Sequence, residues 1–291
     1  MSHQLFRLSQ SIWNKPHLIT QESFNVVLDY LAARNSGLLS YKLSEPVAAQ
    51  ENLLSDNDND GDEYDNIDSS LAVINIDGSL TYKPVMTMCG EAGTSYADIE
   101  DSVEDAIEAG CQTMVLNVSS GGGEASHVFE TATNIRQMCD DNNVKLVAYI
   151  DTLGCSAAYA LSVIADTVIA NPSATVGSIG CVLCLTDTSK AEADMGVKRI
   201  FITSGADKVP YAADGSFKQS FLDDIQVKVD NLNTEFTEFV SKYSGLSTET
   251  IRGFEANSFT AQEALDKGLV NSIMTNKQFA AYIADLHKGA M

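Results

Sequence analysis

A serine at the junction of a buried strand and a small-residue helix is where this sequence could do covalent chemistry. Lys145-Leu146-Val147-Ala148-Tyr149-Ile150 is an apolar run of strand length, followed by a turn from Asp151 to Gly154. Beyond it Ala157, Ala160, Leu161 and Ile164 recur at helical spacing, so a helix begins at or near Ser156. The Ser156 hydroxyl then sits at the positive end of a helix dipole, beside backbone N–H groups that have no intrahelical partner. A serine so placed is either a helix cap or a nucleophile with an oxyanion donor built in. The residues around it leave both readings open.

Two further features bear on the choice. The apolar run Thr113-Met114-Val115-Leu116-Asn117-Val118 leads into Ser119-Ser120-Gly121-Gly122-Gly123. A glycine-rich strand-to-helix turn cradles phosphate when a Lys-Ser/Thr pair follows, but here Glu124-Ala125 follows. Bare backbone N–H groups could instead face one developing oxyanion; a tight turn without chemistry is the other reading. A serine nucleophile also needs a base. His3, His17 and His287 lie in the terminal segments, and His127 falls on the helix after the glycines. Lysine is a recognised alternative base. It must be neutral, and burial lowers its pKa from a reference of about 10.4. Lys208, in a loop before a long helix, is the candidate, with Lys198 in the preceding run the weaker one. A solvated surface lysine is the plain account of either.

Metal chemistry is not indicated. Cys181-Val182-Leu183-Cys184 has the spacing of a zinc half-site but no second pair and no adjacent His, so two buried cysteines in a strand are expected. Asp56-Asn57-Asp58-Asn59-Asp60-Gly61 opens like a calcium loop, yet the twelfth position is Ile67 where a bidentate Glu belongs. A solvated acidic linker accounts for that stretch. No metal and no other cofactor is expected.

Strands alternating with helices must position these residues. Leu71 to Ile76 reads as a strand, Ile99 to Gly110 as an amphipathic helix, and 113–118 as a strand. Val128, Ala132, Ile135 and Cys139 mark a helix, and 145–150 and 167–170 two more strands. Lys198-Arg199-Ile200-Phe201-Ile202-Thr203 reads as a strand, residues 217–243 as a long helix, and Leu269-Val270 as a strand between two further helices. That alternation implies an α/β fold with a mainly parallel sheet and flanking helices. Three regions are expected: an N-terminal helical segment over 1–50, an acidic flexible linker over 51–69, and a main domain over 70–291.

Charge and composition exclude some partners. The net charge of −22 over 291 residues argues against nucleic acid, whose phosphates need clustered Lys and Arg. No apolar run approaches the roughly 20 residues of a membrane-spanning helix, and the first residues lack the pattern of a signal peptide. A cytoplasmic protein without membrane contact is the expectation, with its six cysteines reduced.

Several motifs, in order, resemble the Ser-Lys peptidases of the signal peptide peptidase A type, particularly the head maturation (prohead) proteases of tailed phages. The resemblance covers about residues 71 to 275. It rests on Leu116 to Gly123, on Ser156 in a small-residue helix start followed by Ala165-Asp166, and on Thr175-Val176-Gly177-Ser178-Ile179-Gly180. Ser204-Gly205-Ala206-Asp207-Lys208 and the stretch Phe259 to Val270 complete it. Two departures stand out: Ser119 and Gly121 replace the family's Asn and Pro, and Ala157-Ala158 replaces its Gly-Gly.

The resemblance implies a Clp protease/crotonase-type fold and a homo-oligomer. It implies Ser156 as nucleophile, Lys208 as general base, Ser178 as the residue that orients the lysine, and the amides of Ala157 and of Gly122 or Gly123 as the oxyanion hole. The implied activity is a serine endopeptidase cleaving polypeptides, namely scaffold and capsid proteins in the procapsid if the chain is phage-encoded. A host cytoplasmic signal-peptide-peptidase-like enzyme, a crotonase-type acyl-CoA enzyme and an inactive assembly protein are the alternatives.

Overall fold

The computed structural model describes residues 15–21, 23, 25, 70–84, 86–87, 90–91, 93–205 and 207–290. The acidic stretch 51–68 with its calcium-like opening, Cys89 and most of the helix expected after Thr20 lie outside these residues.

In chain order the elements are β1 (His17–Ile19), β2 (Leu71–Thr81), β3 (Met86–Thr87), β4 (Gly90–Glu91), β5 (Thr94–Ser95), α1 (Tyr96–Glu108) and β6 (Thr113–Glu124). Then come α2 (Val128–Asp141), β7 (Lys145–Cys155), α3 (Ala157–Val163), β8 (Thr167–Ala170), β9 (Thr175–Gly177) and α4 (Ser189–Asp194). The chain continues with α5 (Gln219–Ser244), α6 (Thr248–Arg252), β10 (Ser258–Thr260), α7 (Ala261–Asp266), β11 (Ser272–Ile273) and α8 (Asn276–Ala290).

The expected α/β architecture is present. A nine-stranded sheet runs β10-β9-β7-β6-β2-β5, with β8 also on β7, β11 on β8, and β1 on the far end of β6. Every pair within it is parallel except β1–β6 and β10–β9. The central β6 and β7 are covered on both faces, as parallel strands require. In β2, by contrast, Ile74, Ile76 and Leu80 are buried while Val73 faces solvent.

Helices α1 and α2 pack on one face through Ile99 and Val103, and through Val128, Ala132 and Ile135. They join the main core with the fully buried α3 and with Phe236 and Val240 of α5. A second, smaller core on the other face gathers Val115, Val147, Tyr149 and Ile169 against Ile283 of α8. Leu18 of β1 is fully buried in the main core, a contact worth about 1.5–3 kcal/mol for a side chain of this size. The N-terminal region thus contributes a strand to the main sheet.

Four expectations are corrected. Residues 198–203 form no strand; Ile200 and Ile202 are 77% and 96% exposed. Among the described residues they pair with no strand. The expected strand at Leu269-Val270 lies at Ser272–Ile273, because the Leu269 amide closes α7 on the Ala264 carbonyl at 2.8 Å. Cys181 and Cys184 are half-buried and outside any strand; between them only Val182 makes a bridge, to His17. Neither the three glycines nor Asp151 to Gly154 end their strands, since β6 and β7 continue through them with shifts of register beside them. Among the described residues, Cys111, Cys139 and Cys155 are buried and every cysteine is unpaired.

Candidate active site

Ser156 follows the last residue of β7 and precedes the first of α3, with φ +58°. A non-glycine residue held there costs on the order of 1–3 kcal/mol. The backbone is pinned on both sides: the Ser156 amide donates to the Gly177 carbonyl at 2.8 Å, and its carbonyl accepts from Tyr159 and Ala160 at 3.0 and 3.1 Å. Tyr159 in turn donates its hydroxyl to the Leu269 carbonyl at 2.8 Å. The Ser156 side chain makes no cap hydrogen bond, and its Oγ is buried without any partner among the described residues. Of the two readings of this serine, the cap therefore drops out. A buried hydroxyl with nothing to bond costs about 1–3 kcal/mol, so strain and a lost hydrogen bond coincide on one atom. Next to it, burial pushes the Cys155 thiol up to about 12.

The glycines lie across from this serine. Gly122 has φ +96°, and a Cβ on it would stand 2.1 Å from the Leu18 carbonyl oxygen and 3.0 Å from the Ala157 nitrogen. Only glycine fits that gap. The Gly122 amide is already committed, donating to Ser120 Oγ at 3.1 Å, while Ser120 donates to the Gly78 carbonyl. Of the two glycine amides considered for an oxyanion, this leaves Gly123. Ser120 went unnoticed in the sequence; a polar residue just ahead of the glycines in an otherwise apolar strand was its only signal. A cleft of about 880 Å³ borders the same corner, lined by Thr20, Gly78, Gly121, Gly122, Leu153 and Ser258 among others.

Ser178 lies one step beyond the Cys155–Gly177 pair of β7 and β9, which sets it beside Ser156 in register. It is buried, has φ +52°, and donates its amide to the Asn257 carbonyl at 2.9 Å. Lys208 is different. It is exposed, in irregular chain before α5, and no ion pair reaches it among the described residues. Lys198 is exposed as well. The structure brings Ser156, Ala157, Gly122, Gly123 and Ser178 to one junction and leaves Lys208 away from the serine hydroxyl. No cluster of His, Cys, Asp or Glu able to hold a metal occurs among the described residues. No described helix is long and apolar enough to cross a membrane.

Residues 139–289 match the profile of peptidase family S49, which is more than half of the 291-residue chain. The chain belongs to peptidase family S49. The matched stretch holds Ser156, Ser178 and Lys208, while the glycines precede it. This S49 chain is 26% identical over 211 residues to the head-tail preconnector protein GP5 of Enterobacteria phage P21, covering 71% of this chain and 41% of that protein. It is also 26% identical over 226 residues to the capsid assembly protease C of Escherichia phage lambda, covering 75% of this chain and 49% of that one. The chain thus spans less than half the length of these two curated relatives. Among solved structures, a 1510-N membrane-bound stomatin-specific protease with a substrate peptide aligns at a TM-score of 0.41 and 14% identity, over 72% of this chain and 77% of the other.

Proposed function

We propose that this S49 chain is a serine endopeptidase whose nucleophile is Ser156, acting on scaffold and capsid polypeptides during phage head maturation. The observation that carries the reading is the Ser156 side chain: strained, buried, unpartnered, and beside the Ala157 amide at a helix start. The two phage relatives, one of them a capsid assembly protease by name, support the substrate class.

The chemistry follows from those positions. A scissile carbonyl set between the amides of Ala157 and Gly123 is attacked by Ser156 Oγ. The proton leaving Oγ passes to the Lys208 amine, which returns it to the departing amine of the substrate. Water then hydrolyses the acyl-serine, with the same lysine taking and returning a proton. Ser178, beside Ser156, orients the lysine amine. The two amides hold the oxyanion as it forms; one such donor is typically worth about 10²–10³ in rate.

Lysine acts as a base only when neutral, a form that burial favours. Lys208 must therefore move from solvent into the site. The exposed apolar run that precedes it, with Ile200 and Ile202 outermost, is the surface on which a second copy would pack. The active form in this reading is a homo-oligomer.

Purified protein should cleave unstructured polypeptide, and Ser156→Ala should lower kcat by about 10⁴ or more with the fold intact. Cleavage retained by pure Ser156→Ala protein would contradict the assignment.

A further inference from the structure

The strand β1 lies alongside the glycine end of β6, within the sheet. It pairs antiparallel with the last three residues of β6, His17 with Glu124, Leu18 with Gly123 and Ile19 with Gly122. On its other side His17 exchanges two backbone hydrogen bonds with Val182, at 2.8 and 3.0 Å. It is therefore held between two segments, just as an extended peptide is held when it adds to a sheet.

Its register places one carbonyl at the site. The Thr20 amide donates to the Gly121 carbonyl at 2.9 Å and the Ala125 amide to the Pro16 carbonyl at 3.4 Å. Antiparallel pairs alternate between bonded and non-bonded, so Leu18 and Gly123 form the bonded pair between these two. The Leu18 carbonyl thus receives the Gly123 amide, the donor left free for an oxyanion. The same oxygen flanks the point where a Gly122 Cβ would be, as does the Ala157 nitrogen. Ser156, the residue before Ala157, is fully buried, and so is Leu18. Three residues earlier Lys15 Nζ reaches Glu124 at 3.1 Å and tethers the strand's start.

We infer that His17–Thr20 is a built-in substrate mimic: it fills the substrate groove, shields Ser156, and must leave before a polypeptide enters. The inference rests on the peptidase reading above, and it adds a substrate preference. A substrate takes the place of β1 as an antiparallel strand on Gly122–Glu124, with a large aliphatic residue where Leu18 sits, immediately before the bond that is cut. With Lys208 in solvent no base meets Ser156 Oγ, so the resident strand is held without being cleaved.

The test uses the full chain and a small fluorophosphonate, read as the rate of modification at Ser156. Leu18→Asp puts a charge into the buried pocket and should raise that rate at least tenfold. A synthetic peptide of residues 15–25 should bring it back down, and the same peptide carrying Leu18→Asp should not. Amide exchange on the unmutated protein covers the case of a misfolded variant: labelling of Ser156 should abolish protection at Leu18 and Thr20. Equal rates in a folded Leu18→Asp protein, or Leu18 and Thr20 still protected after labelling, would overturn the inference and leave the peptidase reading standing. A Ser156 that is modified in neither protein would overturn both.

Discussion

At the scale of single residues, the chemistry proposed for this S49 chain rests on a few atoms that ordinary packing would not leave as they are. Ser156 was legible because small residues at helical spacing followed an apolar strand. Its choice between cap and nucleophile was not, since that depends on where Oγ points. Which glycine amide could face a substrate carbonyl was equally hidden: it turns on the path of β6 and on the Ser120 hydroxyl that captures Gly122. Lys208 was placed by resemblance, and its exposure reflects the packing of its whole segment. Cys155 offers a test of how dry this corner is. The folded chain holds its thiol proton up to about pH 12, whereas an unfolded chain releases one at about 8.5. The folded state binds the extra proton in between, so stability falls as pH rises from about 8.5 towards 12. Cys155→Ala should flatten the decline of Tm between about pH 9 and 11, measured by thermal denaturation.

At the scale of elements, periodicity found α1, α2, α3, α5 and the strands β2, β6, β7 and β8, which are set by neighbours close in sequence, and missed the short α4, α6 and β9. The failures were at positions whose fate is decided from far away. The glycines read as a turn, but β6 continues because β2 and β1 pair with it on either side at Gly122 and Gly123. Residues 198–203 have a strand's alternation and no partner strand. The closeness of β1 to β6 gives a sharp expectation. Gly122→Ala would put a methyl group 2.1 Å from the Leu18 carbonyl oxygen and 3.0 Å from the Ala157 nitrogen, in the way of the substrate carbonyl that takes the place of Leu18. Peptide cleavage by this variant should lose about 10²–10³ in kcat, the value of one oxyanion donor. Wild-type turnover would show that the glycine strand does not hold the oxyanion.

At the scale of the molecule, a mainly parallel sheet sets the ends of β6, β7 and β9 side by side and builds the site at that edge. β1, which comes from the first of the three regions expected from sequence, is part of the main sheet, while residues 51–69 lie outside the described residues. In the proposed oligomer the exposed apolar run before Lys208 is the surface on which a second copy packs. Ile202→Asp should therefore shift the protein to a smaller species in sedimentation and reduce peptide cleavage in parallel. An unchanged mass would remove the oligomer from the account.

The central claim is that Ser156 is the nucleophile. The most direct measurement is prolonged reaction of the full chain with a fluorophosphonate, followed by mass spectrometry of the digested protein. The account predicts a single adduct on the peptide that contains Ser156, absent from Ser156→Ala. An adduct on another serine, present equally in the Ser156→Ala protein, would contradict it.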